Sequence, residues 1–366
     1  MDHLAMNAAL AQYAGERVFL TGDTGFKGAW LAYWLTRLGA EVHGYALPPE
    51  HERGLYMRLG MGELISHTDG DVRDLDALTA ALREAAPRVV FHLAAQALVK
   101  PSYEDPVGTY ATNVMGSVHL LEAVRRVESV ESVVFITSDK AYRNKEWAWG
   151  YRESDELGGH DPYSASKAAA EVVFASYRDA FFGGAAGRTV GMASVRAGNV
   201  VGGGDEAYAR IVPDCIRALR AGQPLVLRRP EARRPWQHVL EPLGGYLLLG
   251  RRLLEDAGRF GGAWNFGPRP ESVRTVLDVA TRALAGWGEG ESKVVVEPAE
   301  FHETTLLRLN ADKAHQELGW SPRWGFEETL DRTVAWYRAE HEGDDLRAFT
   351  AEQIAAYMAA GEEGAR

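Results

Sequence analysis

Cysteine is almost absent from this chain, whose 366 residues include only Cys215. A lone cysteine excludes a disulfide within the chain and any metal site built from several thiolates. Long hydrophobic runs are missing too, because none reaches the roughly 18 apolar residues of a membrane-spanning helix. The first residues lack the basic-then-apolar order of a secretory signal. These absences predict a cytoplasmic protein, with no metal site expected.

Positive charge is also in short supply. The chain carries 40 lysines and arginines against 51 aspartates and glutamates, a formal net charge of −11. This balance argues against a general nucleic-acid-binding surface, which needs a broad basic face. It leaves room for one small phosphorylated ligand, because a few arginines and a helix N-terminus can hold it.

Short apolar runs alternate with helical patterns through the first half of the chain. Strands are predicted at 17–21, 41–46, 89–93, 133–137 and 191–195. Helices are predicted at 29–38, 114–127 and 164–182. Such alternation implies right-handed crossovers and a parallel sheet covered on both faces. The expected class is therefore α/β, with a doubly wound parallel sheet.

A glycine-rich loop joins the first predicted strand to the first predicted helix. Gly22, Gly25 and Gly28 are spaced to permit a tight turn, backbone approach to a diphosphate and close helix–strand packing. The loop therefore predicts a dinucleotide site at the helix N-terminus. Residues 45–47, at the end of the second strand, carry neither an acid for the ribose of NAD nor an arginine for a 2′-phosphate. Asp23, inside the loop, is expected either to face solvent or to contact the cofactor.

Tyr163 and Lys167 form a YxxxK pair on one helix face. A neighbouring lysine lowers the pKa of a tyrosine from about 10, which allows the tyrosine to act as a general base. Ser138 is followed by Asp139 and Lys140, an acid and an amine that simple hydride transfer does not need. They make sense if water is eliminated, because one group protonates the leaving hydroxyl and the other removes a carbon-bound proton. A solvated Asp-Lys turn is the alternative.

Several segments together resemble the CDP-glucose 4,6-dehydratase family of extended short-chain dehydrogenase/reductases. They are TGDTGFKGAWL, SDKAY, NKEWAWGYRESDELGGHDPYSASK, RAGNVVGGGD and RRPWQHVLEPLGGYLLL. Lys140 is typical of the CDP-glucose group, because related dTDP- and GDP-sugar dehydratases have glutamate there. Two positions depart from the family: Asp23 replaces the usual histidine, and Leu306 stands where an aromatic is common.

The resemblance implies a lyase of deoxysugar biosynthesis that supplies lipopolysaccharide or glycan precursors. Its reaction would convert CDP-D-glucose to CDP-4-keto-6-deoxy-D-glucose by C4 oxidation, elimination of water across C5 and C6, and hydride return to C6, with NAD regenerated. Tyr163 would take the 4-hydroxyl proton, assisted by Lys167, while Ser138 would bond the reacting oxygen. Asp139 would protonate the leaving 6-hydroxyl, and Lys140 is the candidate base at C5.

The resemblance also implies binding residues. Those for NAD are Gly22, Thr24, Gly25, Phe26, Lys27, Gly28, Asp71, Val72, Leu93, Ala94, Ala95, Thr137, Tyr163, Lys167 and Arg196. Those for the nucleotide sugar are Gln96, Asn199, Arg210, Arg234, His238 and Arg308.

A Rossmann-type NAD-binding domain is expected at 1–198 plus 240–268, where a helix at 241–254 and a strand at 263–266 return to the sheet. A smaller α/β substrate-binding domain is expected at 199–239 plus 269–345. Residues 346–366 are expected to form a C-terminal tail, amphipathic at 346–358 and mobile at its end. Related enzymes are commonly dimers, so a homodimer is expected.

Two alternatives remain at this point. One is another sugar-nucleotide enzyme, either a dehydratase for a different nucleotide or a 4-epimerase, which needs Tyr163 and Lys167 but no acid beside Ser138. The other is a non-enzymatic NAD-binding sensor or scaffold.

Overall fold

The computed structural model describes residues 3–183, 188–208, 210–288, 294–296 and 307–360. Leu306 and the last six residues of the tail, on which two expectations rest, lie outside the described residues. None of the described helices is long and apolar enough to cross a membrane.

The strands follow one another along the described chain as β1 Arg17–Thr21, β2 Glu41–Ala46, β3 Ser66–Asp69, β4 Val89–His92, β5 Ser132–Ile136, β6 Gly191–Ala197, β7 Val200–Val201, β8 Leu225–Leu227, β9 Arg233–Pro235, β10 Gln237–His238, β11 Gly262–Phe266, β12 Val273–Thr275 and β13 Val294–Val296. The helices are α1 His3–Ala11, α2 Phe26–Arg37, α3 Leu55–Arg58, α4 Leu75–Ala85, α5 Val99–Glu104, α6 Pro106–Tyr110, α7 Gly116–Arg126, α8 Pro162–Tyr177, α9 Ile211–Arg220, α10 Leu240–Glu255, α11 Ala257–Phe260, α12 Val276–Trp287, α13 Phe326–Glu342 and α14 Leu346–Ala359.

A seven-stranded parallel sheet forms the centre of the molecule, in the order β11-β6-β5-β4-β1-β2-β3. This confirms the predicted α/β class and the strands that had been placed from apolar runs. The prediction missed β3, because its residues Ser-His-Thr-Asp form a polar edge strand without an apolar run. The order reverses beside β1, and ligands of such sheets bind at the carboxyl ends of the strands at this point.

Apolar side chains cover both faces of the sheet because successive strand residues point to opposite sides. On β1, Phe19 packs into one buried cluster with residues of α4, α7 and α8, among them Leu82 and Phe174. Its neighbour Leu20 packs into the other cluster with Trp30 of α2 and residues of α10. Helices thus lie on both faces, and the loops between them meet at one edge of the sheet.

After β6 the chain leaves the sheet and then returns to it. The excursion contains β7 to β10 and α9, and the return consists of α10 and β11, which pairs in parallel with β6. Downstream, β12 pairs with β9 and β13 pairs with β8, so later residues rejoin the excursion.

The C-terminal segment is built into the core. Helix α14 packs against α13 through Trp336, whose indole N–H donates to Thr350 at 2.9 Å. The Tyr357 ring meets the Trp34 ring of α2 edge-on, with centroids 5.6 Å apart. The Tyr357 hydroxyl donates to the fully buried Glu241 at 3.0 Å. These contacts attach the helix to the rest of the described structure.

Candidate active site

The glycine loop between β1 and α2 has the shape that a diphosphate requires. Gly22 has a φ of 78°, and a Cβ there would lie 2.7 Å from the backbone nitrogen of Ala94. A Cβ on Gly28 would overlap the carbonyl oxygen of Gly22, so helix and loop touch directly. The N-cap of α2 is Gly25, which has no side chain to occupy the first-turn N–H groups. These groups are left for an anionic ligand.

The loop is held in place by neighbouring elements. The amide of Leu93 donates to the carbonyl of Thr21 at 3.1 Å, and the amide of Ala94 donates to the Thr21 hydroxyl at 3.2 Å. Thr24 donates through its hydroxyl to the carbonyl of Leu47 at 2.9 Å. The predicted cofactor residues of the β1 and β4 loops are therefore adjacent.

Asp23 turns inward beneath this loop. Its side chain is fully buried, and its carboxylate lies 2.7 Å from Nδ1 of His67 on β3. Hydrogen bonding to Asp23 raises the pKa of His67, although burial opposes the shift. The prediction that Asp23 faces solvent was wrong, and its buried carboxylate is not open to a cofactor. Sequence reasoning could not find the partner because it lies 44 residues away, on the strand that was missed.

The predicted catalytic side chains of β5 and α8 meet at the carboxyl end of the sheet. The Ser138 hydroxyl donates to Oδ1 of Asp139 at 3.0 Å, and Ser138 also hydrogen-bonds Tyr163. All three residues are buried. Burial raises the pKa of Asp139, which favours its protonated form, although Lys140 opposes this. Burial also raises the pKa of Tyr163, while the Ser138 hydrogen bond lowers it.

Two lysines add positive charge to this cluster. Burial lowers the pKa of Lys167 to about 8, with the nearby charge of Lys27 acting in the same direction and Glu171 opposing it. Burial likewise lowers the pKa of Lys27 to about 8, with Arg210 acting in the same direction and Asp139 opposing it. These mutual influences indicate that the glycine loop, Asp139 and Arg210 of the excursion lie close together.

Asp139 and Lys140 differ in their surroundings although they are adjacent. Asp139 is buried, whereas the side chain of Lys140 is exposed. They belong to a short helical turn, Asp139–Ala141, whose N-cap is Ser138. The turn therefore places the acid and the amine in different surroundings.

Arg196 was predicted to contact the cofactor, and this was wrong. Its side chain is 3% exposed, and two of its nitrogens donate to the carboxylate of Glu171 at 2.9 and 2.8 Å. The third nitrogen donates to the hydroxyl of Tyr142 at 2.7 Å and to the carbonyl of Glu153 at 3.2 Å. These four hydrogen bonds and its burial direct the guanidinium to Glu171, Tyr142 and Glu153.

His238 was predicted to bind the substrate, but it is fully buried. Its ring lies between Trp30 and Trp324, with centroid distances of 5.9 and 4.9 Å. Burial lowers its pKa to about 3, so the ring is neutral, and Nδ1 accepts from the amide of Leu240 at 3.3 Å. The prediction was wrong because the strand turns this side chain into the core.

Gln96, another predicted substrate residue, bonds its own loop. Its amide group donates to the carbonyl of Leu98 and to the Thr109 hydroxyl, both at 3.0 Å. Its amide oxygen accepts from the backbone nitrogen of Leu98 at 2.6 Å. The side chain therefore shapes the loop after β4, and its direct contact with the substrate stays a prediction.

The remaining predicted residues lie around the same edge of the sheet. Asn199 follows β6 and accepts from the amide of Gln237 at 3.1 Å. Arg234 of β9 is half-buried, and Arg308 donates to the carbonyl of Ala148. Asp71 accepts from the guanidinium of Arg73 at 2.9 and 2.5 Å, next to the buried Val72.

Asn113 was missed by sequence reasoning. It lies in a widened helical turn, Ala111–Met115, where its side chain donates to the hydroxyl of Ser166 and to the carbonyl of Gln96, both at 2.9 Å. Ser166 in turn donates to the carbonyl of Tyr163 at 2.7 Å. Asn113 thus supports the first turn of α8, and no local pattern distinguishes it from other helical polar residues.

Among the described residues, no group of three or more His, Cys, Asp and Glu side chains is placed to hold a metal ion.

The sequence model of the GDP-mannose 4,6-dehydratase family matches residues 19–333. A CDP-glucose 4,6-dehydratase of Salmonella typhimurium is 47% identical to this chain over 95% of it and 98% of the relative. A UDP-glucose 4-epimerase of Mycolicibacterium smegmatis is 29% identical over 88% of this chain and 98% of the relative.

Solved structures are similar as well. A dTDP-glucose 4,6-dehydratase of Streptomyces venezuelae, with NAD bound, has a TM-score of 0.76 and 25% identity. The similarity covers 90% of this chain and 99% of that one. An epimerase of Methanothermobacter thermautotrophicus has a TM-score of 0.78 at 24% identity, which shows the shared fold.

Proposed function

Since this chain belongs to the GDP-mannose 4,6-dehydratase family, we propose that it is a lyase that converts CDP-D-glucose to CDP-4-keto-6-deoxy-D-glucose with NAD as cofactor. The observation that carries the proposal is the buried Asp139 hydrogen-bonded to Ser138, beside Tyr163. A 4-epimerase needs no acid at this position. The 47% identity to a CDP-glucose 4,6-dehydratase supports CDP as the nucleotide.

The glycine loop fits the diphosphate of NAD, because the N-cap Gly25 leaves the first-turn N–H groups of α2 without a side-chain acceptor. Gly25 and the first turn of α2 would hold the diphosphate, with Lys27 close by. Lys167 would hold the nicotinamide ribose, and Asp71 and Val72 would lie at the adenine end. When bound, NAD would supply the acceptor for the C4 hydride, which would return to C6.

Tyr163 acts first, by removing the proton of the 4-hydroxyl as C4 is oxidised to a ketone. Burial raises the pKa of this tyrosine in the protein alone, so it needs a positive neighbour to ionise. Lys167 lies four residues further along the same helix and supplies that charge when protonated. Ser138 holds the oxygen on which the ketone forms.

Elimination follows because the ketone acidifies the hydrogen on C5. Lys140, as the neutral amine, takes the C5 proton, the C5–H electron pair forms the C5–C6 double bond, and the 6-hydroxyl leaves with the proton of Asp139 as water. Burial raises the pKa of Asp139, which keeps that proton available. The proton on Lys140 then returns to C5 as C6 receives the hydride.

The proton balance gives Ser138 a second task. At the end of turnover Tyr163 holds the proton of the 4-hydroxyl, and Asp139 has lost the proton that left with water. The Ser138 hydroxyl hydrogen-bonds both groups, donating to Asp139 at 3.0 Å. A shift of one proton through this hydroxyl restores the starting state of both buried groups.

The nucleotide sugar is proposed to bind where the excursion faces the sheet. Arg210 donates to Asp205 at 3.0 Å, and its charge influences Tyr163, so it lies close to the reacting sugar. Arg234 and Arg308 are proposed for the diphosphate, and Asn199 for the sugar. The division into 1–198 plus 240–268 and 199–239 plus 269–345 is supported by the pairing of β11 with β6.

A homodimer is proposed from exposed apolar side chains on neighbouring helices. Val107 of α6 is 79% exposed and Val172 of α8 is 61% exposed, and Met115 and Phe181 are also exposed. Exposed apolar patches are typical of protein–protein interfaces. Measuring the mass of the protein in solution tests this; a monomer at micromolar concentration contradicts it.

Product analysis by NMR tests the function. The protein is incubated with NAD and, separately, with the CDP, dTDP, GDP and UDP derivatives of glucose. We expect a 4-keto-6-deoxy sugar and water from CDP-glucose, with much slower conversion of the others. A galactose product from any of them would identify an epimerase, and preference for another nucleotide would overturn the assignment of CDP. Tyr163→Phe, which should be inactive, controls for contaminating enzymes.

A further inference from the structure

We propose that the buried Glu171–Arg196 ion pair is a positioning unit, which holds the turn that carries Ser138 and Asp139 against the helix that carries Tyr163 and Lys167. The inference rests on the proposed function, because it concerns how two steps of that reaction share one geometry. Neither residue touches the reacting atoms in this role.

Glu171 connects α8, which carries Tyr163 and Lys167, to the end of β5. It lies one helical turn beyond Lys167 on α8, so both side chains lie on the same face of the helix. Its Oε1 accepts from the hydroxyl of Thr137 at 2.5 Å, and its Oε2 accepts from Ser194 of β6 at 2.7 Å. Thr137 immediately precedes Ser138, so one carboxylate fixes the distance between helix and strand end.

Arg196 connects the ion pair to Tyr142, at the other end of the turn. It donates to the hydroxyl of Tyr142 at 2.7 Å, and its guanidinium carbon lies 4.7 Å from the centre of the Tyr142 ring. The Tyr142 hydroxyl donates onward to Asn265 of β11 at 2.8 Å. Tyr142 follows the turn Asp139–Ala141 directly.

The ion pair is therefore hydrogen-bonded to residues on both sides of the turn Asp139–Ala141. Thr137 on one side and Tyr142 on the other are both hydrogen-bonded to it, and the four residues between them include Ser138, Asp139 and Lys140. The planar fork of arginine fixes direction as well as distance, because its bonds to Glu171 are bidentate. Glu171 also opposes, through its negative charge, the lowering of the Lys167 pKa.

Loosening the turn should affect the two chemical steps unequally. C4 oxidation depends mainly on Tyr163 and Lys167, which α8 carries, whereas water loss depends on Asp139, which the turn carries. A displacement of about 1 Å can slow a step by about 100-fold. A loosened turn should therefore oxidise C4 and then stall before elimination.

The test measures how the oxidised intermediate partitions in single turnovers of the NAD-loaded enzyme with CDP-glucose. Stalled molecules are counted by the absorbance of reduced cofactor, and completed ones by the 6-deoxy product. Tyr142→Phe removes one hydroxyl, Thr137→Val removes the other link, and Glu171→Gln removes the charge. We expect each to slow elimination about tenfold more than oxidation.

The control is Glu16→Gln, which breaks a partly buried pair with Arg251, 3.4 Å apart, directly before β1. It lies at the amino ends of the strands, so it should lower the melting temperature without changing the partition. The partition does not depend on how many molecules are folded, so a merely structural role would not move it. Equal slowing of both steps in Tyr142→Phe and Thr137→Val would overturn the proposal, even if Glu171→Gln fails to fold. Absence of product from the unaltered protein would instead refute the proposed function.

Discussion

The carboxylate of Asp23 and Nδ1 of His67 lie 2.7 Å apart beneath the glycine loop, joining the loop to the edge strand β3. Nε2 of His67 lies 3.2 Å from Asp69, whose side chain is 68% exposed. An imidazole between two carboxylates is favoured in its charged form, and its pKa is raised accordingly. The stability of this corner of the protein should therefore depend on pH.

Replacing His67 with Asn tests this dependence, because asparagine keeps a hydrogen-bond donor but carries no charge. The folded-state pKa of His67 is raised, so its stabilising contribution is complete below the unfolded pKa and is lost as pH rises through the folded value. His67→Asn should lower the free energy of unfolding by about 1 to 2 kcal/mol at the acidic end of the range. Urea unfolding at several pH values measures the difference, which should shrink as pH increases.

The matched control is Asp69→Asn, which removes the exposed partner. Its effect should stay below about 1 kcal/mol, because exposed ion pairs contribute little. A destabilisation by His67→Asn that grows with increasing pH would contradict a charged His67.

Replacing Asp139 with Asn should separate oxidation from elimination. Asparagine has the shape of aspartate but cannot give up a proton as an acid, so loss of water should slow by about 100- to 10,000-fold. C4 oxidation should partly survive because Tyr163 and Lys167 remain. Single-turnover experiments should show reduced cofactor accumulating without 6-deoxy product.

The control for this variant is Asp331→Asn on α13, which removes an exposed ion pair with Arg282 on α12. It should leave turnover unchanged. Normal turnover in Asp139→Asn would remove Asp139 from the role of acid.

Two alanine substitutions in the glycine loop should have different effects, one on stability and the other on NAD binding. A Cβ on Gly28 would overlap the carbonyl oxygen of Gly22, so Gly28→Ala should lower the free energy of unfolding by about 3 kcal/mol. A Cβ on Gly25 meets only that same oxygen, at 3.4 Å, so Gly25→Ala should fold normally. Because Gly25 is proposed to face the diphosphate, this variant should instead bind NAD more weakly.

Calorimetric titration with NAD and thermal unfolding, applied to both variants, check this difference. Normal NAD affinity in Gly25→Ala would contradict the proposed position of the diphosphate. Normal stability in Gly28→Ala would contradict the contact between helix and loop.

Local patterns in the sequence were sufficient for the frame of the fold. Buried strands of a parallel sheet are continuous apolar runs, and β1, β4, β5 and β6 were found on that basis. The edge strand β3 has polar residues, so the same reasoning missed it. The expected tail at 346–358 proved to be helix α14, whose Tyr357 is fully buried in the core.

The roles of individual polar residues were harder to predict because chemistry alone does not say where a side chain points. Arg196 has a charge that suits cofactor binding, yet it pairs with Glu171 and also donates to Tyr142 and Glu153, all on other segments. His238 has the donors of a ligand contact, yet its strand turns it between two tryptophans. In each case the partner is distant in sequence, and only packing brings the two together.

By itself, the sequence determined the sheet class, the glycine loop, the YxxxK pair and the acid after Ser138, since each depends on neighbours within a few residues. The tertiary structure alone decided that Asp23 pairs with His67 and that Arg196 pairs with Glu171 in the core. The physical reason is the cost of burying an unpaired charge, which can be met only by a partner that folding brings within hydrogen-bond distance.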